Sequence, residues 1–201
     1  MENSELSEKE QDALGEMSNI SMGSSATALS GLLMNKRVEI TTPKVEVIRR
    51  SEALDDYDKK CILVHINYVQ GLEGSNILLL QESDVKSITD MMMGGDGSNF
   101  QGELTELHLS AVSEAMNQMM GSAATALSKM LNRMIDISPP KTNNIDVESI
   151  KLFESLFQSP KKDMVKVTFD LKIGDHIDSN MVQLYPIELA KQLVAFFYGE
   201  A

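Results

Sequence analysis

The chain has 201 residues, 42% of them hydrophobic and 24% charged, with a formal net charge of -12 and a pI near 4.7. That suffices to bury a proper core, as one domain of two halves or as two small domains, while the acidic balance, with no Lys/Arg cluster longer than a pair, repels nucleic acid and anionic membrane surfaces. A single cysteine, Cys61, excludes an internal disulfide, and neither a signal-peptide pattern nor an apolar run of about 18 residues is present, so a cytoplasmic protein with a protein partner and no membrane insertion is expected.

Ser7-Glu-Lys-Glu10 is a capping box that opens a helical pattern to about Met34, despite Gly15 and Gly23. An extended segment, Val38 to Pro43, follows. Ile62 to Val69 and Asn76 to Leu80 are β-rich runs flanking Gly71-Leu-Glu-Gly74, a hairpin pattern, and Ser83 to Met93 reads as a shorter helix. Gly94-Gly-Asp-Gly-Ser98 is the one flexible-looking stretch.

From Thr105 the same series recurs. A helix to about Leu131 leads into an extended segment, Ile135 to Pro140. Val165 to Ile173 and Met181 to Tyr185 then flank Gly174-Asp-His-Ile-Asp178, and a closing helix runs from Pro186 to Tyr198 with proline in its first turn. Between Asn143 and Pro160 the pattern supports no more than a strand and a short helix. Each unit reads helix, strand, strand, strand, helix. The expected fold is α+β: a single pseudo-two-fold domain spanning 1–201 and made of two repeats, about 7–95 and 105–199, whose six-stranded, largely antiparallel sheet carries two long motif helices and shorter helices.

The repeat is close in wording. Asp12, Glu16, Asn19 and Gly23 recur 98 residues on as Ser110, Glu114, Asn117 and Gly121, and the register holds without a gap from Asp12/Ser110 through Ser30/Ser128. At 100° per residue these residues share one face of each helix. The opposite stripes, Leu14, Met17, Ser21, Ser24, Ala28, Leu32 and Val112, Ala115, Met119, Ser122, Ala126, Met130, are the expected buried ones. Glu and Asn on a single helix are usually just a solvated face. Asn, however, is a poor helix former, and Gly costs about 1 kcal/mol against Ala in a helix interior. Two copies that keep both, four residues apart and outward, point to a site, and Gly one turn beyond Asn leaves room for another molecule's backbone.

The chemistry open to such a face is narrow. Glu can pair with a cation or act as a base, and Asn can hold a water by offering a donor and an acceptor. His65, His108 and His176 are scattered singles outside the repeat register, and no phosphate loop, nucleophile elbow or metal-ligand spacing is present. A catalytic face of this kind needs a substrate that brings its own electrophilic activation.

These residues resemble the CheC/FliY/CheX family of chemotaxis phosphatases, whose signature is Asp or Ser, three residues, Glu, two residues, Asn, then a proline about 23 residues on. Asp12, Glu16, Asn19 with Pro43, and Ser110, Glu114, Asn117 with Pro140, look like two copies of it; Pro140 keeps the spacing and Pro43 lies one residue late. The resemblance covers essentially the whole chain. It implies an aspartyl-phosphate phosphatase acting on phosphorylated CheY, whose phosphoryl group sits against CheY's own Mg²⁺ and lysine. It further implies that Asn19 or Asn117 orients the attacking water, that Glu16 or Glu114 pairs with that lysine, and that Asp12, Ser110, Gly23 and Gly121 support the helix or the docking surface. No intrinsic cofactor or metal is implied. CheD and flagellar switch proteins join CheY as candidate partners, at the motor switch. The rival class is a scaffold or binding module that docks partners through these faces without turnover.

Overall fold

The computed structural model describes residues 6–53, 61–99, 101–144 and 163–199. In chain order these form α1 (Glu8–Leu32), β1 (Val38–Arg49), a 3-10 turn (Arg50–Glu52), β2 (Cys61–Gln70), β3 (Gly74–Gln81), α2 (Glu82–Met92), α3 (Glu106–Leu131), β4 (Asp136–Ile137), β5 (Lys141–Asn144), β6 (Asp163–Ile173), β7 (Ile177–Pro186) and α4 (Ile187–Phe197). The short helix expected before Pro160 lies outside the described residues.

The capping box forms as read. Glu10 N–H donates to Ser7 Oγ at 3.1 Å, and Ser7 N–H donates to Glu10 Oε1 at 3.0 Å. These bonds hold the Glu10 carboxyl below the usual carboxylate range, despite some burial, and Lys191 of α4 at 3.3 Å adds to the effect. In α3 a histidine does the corresponding work: Thr105 N–H donates to His108 Nδ1 at 2.9 Å. His108 is therefore a capping residue.

The sheet is antiparallel throughout, in the order β1-β6-β7-β3-β2-β4, with β5 also paired to β2. Among the described residues the largely antiparallel sheet expected has seven strands rather than six, because the segment Ile135 to Pro140 does not run on as one strand. Pro139 and Pro140 offer no N–H to a ladder, and the edge is broken into β4 and β5 around them. On the opposite edge β1 passes Pro43 intact and continues to Arg49, at the cost of a register shift between Thr41 and Lys44. Each half's leading strand pairs with the other half's hairpin: β1 adds to β6–β7, and β4 and β5 add to β2–β3. The β3–β7 pairing joins the two hairpins.

One face of the sheet, with Ile62, Val64, Ile66, Leu78, Leu80, Val165, Val167, Phe169 and Leu171, shares a core with the four helices of the described residues. On the other face Leu63, Ile77, Leu79, Met164, Val182 and Leu184 form a smaller cluster. His65 lies among that second set of positions, buried, with Nε2 3.2 Å from Asn67 Oδ1 and 3.3 Å from Ser75 Oγ.

The helix stripes are broader than expected and rotated. Leu14, Met17, Ser21, Val112, Ala115 and Met119 are buried, whereas Ser24, Ala28, Leu32, Ser122, Ala126 and Met130 are only half-buried. Met22, Ala26 and Leu29, with Met116, Met120, Ala123 and Leu127, fill the core instead. Two contacts explain this. The bulky residues face the sheet, while the small ones face the neighbouring long helix, where Ser25 Oγ donates to Met119 O at 2.7 Å and Ser24 meets Ser122. As the position on α1 rises by one, its partner on α3 falls by three, so the two helices run antiparallel.

The glycine linker is anchored. Gly97 N–H donates to Asp90 Oδ2 at 2.9 Å, and Gly95 N–H donates to Asp90 O at 2.8 Å. Lys86, buried against Glu82 at 2.9 Å, donates to Gly102 O at 2.6 Å. The composition of Gly94 to Ser98 suggests flexibility, but Asp90 of α2 ties the stretch down, and Lys86 fixes the chain beyond it at Gly102.

Candidate functional site: two helix faces at opposite sheet edges

The motif residues lie on the outward side of each helix. Asp12, Glu16, Asn19 and Gly23 are exposed on α1, as are Ser110, Glu114 and Asn117 on α3; Gly121 is half-buried. Antiparallel packing about Ser24 and Ser122 sends the two motifs to opposite ends of the helix pair. Asn19 and Asn117 each lie five residues from that crossing, so they are separated by about 15 Å along the helix axes at 1.5 Å per residue. One motif borders β1 and the other borders β5, the two lateral edges of the sheet.

The second face opens on a groove of about 510 Å³ between α3 and the β4–β5 edge, lined by Glu106, Leu109, Ser110, Ser113, Glu114, Asn117, Pro139, Pro140 and Thr142. The proline of the signature thus forms the far wall of the groove whose near wall carries Glu114 and Asn117. Ser113 Oγ lies 3.1 Å from Thr142 Oγ1 and joins the two walls. Gln118 donates from Nε2 to Glu114 Oε1 at 3.1 Å. Sequence reading missed Ser113, Thr142, Pro139 and Gln118. The signal was present: Gln118 is one helical turn beyond Glu114, and Thr142 is two residues beyond Pro140, the period at which strand residues share a face.

The glycines carry a specific message. A Cβ placed on Gly23 or on Gly121 would meet nothing within 4 Å, and neither has a left-handed φ. Nothing in the fold demands glycine there. Their carbonyls are already engaged one turn on, by Thr27 at 3.4 Å and Thr125 at 3.0 Å. A residue that weakens a helix and is not required by internal packing leaves space for something outside the chain.

Among the described residues, no grouping of three or more His, Cys, Asp or Glu could hold a metal, and no helix is long and apolar enough to cross a membrane. The faces therefore offer carboxylate, carboxamide and hydroxyl groups, with open approach.

A family model described as CheC-like matches this chain twice, over residues 10–47 and 107–143, each span taking in most of one motif helix and most of the strand edge that follows it. The flagellar motor switch phosphatase FliY of Bacillus subtilis is 50% identical over 192 residues, which are 95% of this chain and 50% of that protein. The CheY-P phosphatase CheX of Thermotoga maritima is 32% identical over 109 residues, 54% of this chain and 68% of CheX. The chain belongs to the CheC-like family.

The crystal structure of Thermotoga maritima FliY superposes with a TM-score of 0.90 at 39% identity, covering 98% of this chain and 100% of that one. A complex of CheX with CheY, BeF3 and Mg²⁺ from Borrelia burgdorferi shares the fold at a TM-score of 0.54 and 16% identity, covering 83% of this chain and 94% of that one. This CheC-like chain spans half the length of the Bacillus subtilis relative.

Proposed function

We propose that the chain is one CheC-like unit of two repeats, about 7–95 and 105–199, that accelerates hydrolysis of the aspartyl phosphate of CheY. Both helix faces dock on the phosphorylated partner. Asn19 or Asn117 enters the phosphorylation site and uses its carboxamide to orient a water in line with the scissile bond. The water oxygen attacks phosphorus, the bond from phosphorus to the aspartyl oxygen breaks, and inorganic phosphate leaves as the partner's carboxylate is regenerated. Glu16 or Glu114 pairs with the partner's lysine and fixes the register. Mg²⁺ belongs to the partner, in keeping with the CheX complex, and supplies charge stabilisation from that side. Asp12 and Ser110 support the docking surface, and Gly23 and Gly121 let the partner's backbone approach.

The observation that carries this reading is the pair of bare glycines, each one turn beyond an exposed Asn and each free of any internal steric demand. CheX, a CheY-P phosphatase, supports the substrate class, and FliY, a flagellar motor switch phosphatase, supports placement at the motor switch, with switch proteins as further partners.

The test is direct. Purified chain is mixed with phosphorylated CheY and Mg²⁺, and phosphate loss is followed against CheY alone. Acceleration supports the proposal. Tight binding with an unchanged rate would leave a docking module of the switch, the rival reading.

A further inference from the structure

The two faces match in their motif residues but differ in what surrounds them. In the second face Gln118 Nε2 donates to Glu114 Oε1 at 3.1 Å. Its counterpart 98 residues earlier is Ile20, a large apolar side chain 49% exposed beside Asn19. Among the described residues, no hydrogen bond reaches the Glu16 carboxylate. The floors differ too. Ser113 and Thr142 join helix to strand through their hydroxyls at 3.1 Å, whereas the matched Gly15 and Val45 have no such bond: a Cβ on Gly15 would lie 3.7 Å from Val45 Cγ2. Asp12 adds a second carboxylate to the first face, where the second has Ser110.

We infer that Gln118 is a positioning residue that makes the second face the preorganised one. An exposed glutamate samples several rotamers, and a partner's cation must freeze it on docking. Gln118 holds one carboxylate oxygen in advance, on the helix turn that also carries Asn117, and leaves Oε2 for the cation. Ile20 cannot do this for Glu16. The first face therefore docks phosphorylated CheY with a loose glutamate and an apolar neighbour. This inference rests on the phosphatase reading above.

The experiment uses two backgrounds. Asn19→Ala leaves only the second face active, and Asn117→Ala only the first. In the Asn19→Ala chain, Gln118→Ile is expected to raise the half-saturating concentration of phosphorylated CheY by about 1.5-fold to twofold, the size one helix-surface hydrogen bond supports, with the maximal rate unchanged. Gln118→Glu, which repels Glu114, should raise it further. In the Asn117→Ala chain, Ile20→Gln should lower the half-saturating concentration by a similar factor. A purely structural residue would not produce this reciprocal change. Half-saturation that stays put in both swaps, or a maximal rate that falls while half-saturation holds, overturns the assignment. Should the unaltered chain not accelerate phosphate loss at all, the phosphatase reading fails separately. The same swaps are then read as Kd for CheY loaded with beryllofluoride and Mg²⁺: opposite shifts support positioning by Gln118, and equal values overturn it.

Discussion

Ser24 and Ser122, 98 residues apart in sequence, face each other with their hydroxyls 2.7 Å apart, each within reach of the other's carbonyl, at 3.4 and 3.0 Å. A residue that meets its own repeat counterpart marks a local two-fold axis. Small side chains there let α1 and α3 come close, and that closeness sets how the two motif faces diverge toward the sheet edges.

The pair supports a coupling prediction. Ser24→Ala and Ser122→Ala should each cost about 0.5–1.5 kcal/mol, the usual net worth of such a bond. The double variant should cost less than the sum, because the second change removes a hydroxyl already deprived of its partner. Urea unfolding of the four chains gives the cycle directly. Strict additivity would mean that the hydroxyls do not act on each other.

The repeat made the long helices, the hairpins and the motif faces readable, because exact sequence spacing fixes helical register. The order of the strands was not readable. Interlacing, with β1 on β6 and β5 on β2, is a property of the two-fold arrangement, and local pattern carries no trace of it. The buried stripes were misplaced for a related reason: periodicity reports one apolar face, whereas α1 packs on both the sheet and α3, and Ser25 and Ser24 serve the second contact. In the candidate site the motif residues were legible from recurrence. Gln118, Ser113 and Thr142 occur in only one copy, so recurrence passes over them, and only their spacing from Glu114 and Pro140 marks Gln118 and Thr142.

Gly23→Ala and Gly121→Ala should stabilise the fold and impair docking. Alanine in a helix interior is favoured by roughly 0.5–1 kcal/mol over glycine, and a Cβ at either position meets nothing within 4 Å. Thermal unfolding should therefore shift upward, while the half-saturating concentration of phosphorylated CheY rises. A stabilised double variant with unaltered docking would remove the argument for close backbone approach.

Asn19→Ala and Asn117→Ala should each leave measurable acceleration, and the double variant should lose nearly all of it while staying folded. Both side chains are exposed, on different helices at opposite sheet edges, so their losses should be independent. Single-turnover phosphate loss with circular dichroism as the folding control measures this. Complete loss from either single change would contradict two independent faces.

His65 should make the fold sensitive to mild acid. Burial lowers its pKa below the ordinary 6.5, only partly opposed by the hydrogen bond to Asn67, and nearby Lys141 lowers it further. Between the folded value and 6.5 the unfolded chain binds more protons, so stability is full above 6.5 and is lost as the pH falls through that window. The slope from one such group is at most about 1.4 kcal/mol per pH unit. Denaturant midpoints compared at pH 7.5 and 5.5 should differ in the native chain and differ less in His65→Gln. An unchanged difference would place the acid sensitivity elsewhere.

Small phosphate esters should not be substrates. The first face presents Asp12 and Glu16, the second Glu114, all exposed, and these repel a free phosphate dianion. Neither groove wall provides a cation: the lining of the second groove contains no Lys, Arg or His. Asn can orient a water, but orientation without charge stabilisation leaves most of the barrier in place. With p-nitrophenyl phosphate, with or without added Mg²⁺, turnover should stay at the background rate. With phosphorylated CheY, replacement of the partner's lysine or removal of its Mg²⁺ should abolish the acceleration. Robust turnover of the small ester would require electrophilic groups on this chain that these faces do not display, and the division of labour between carboxamide and partner would then have to be abandoned.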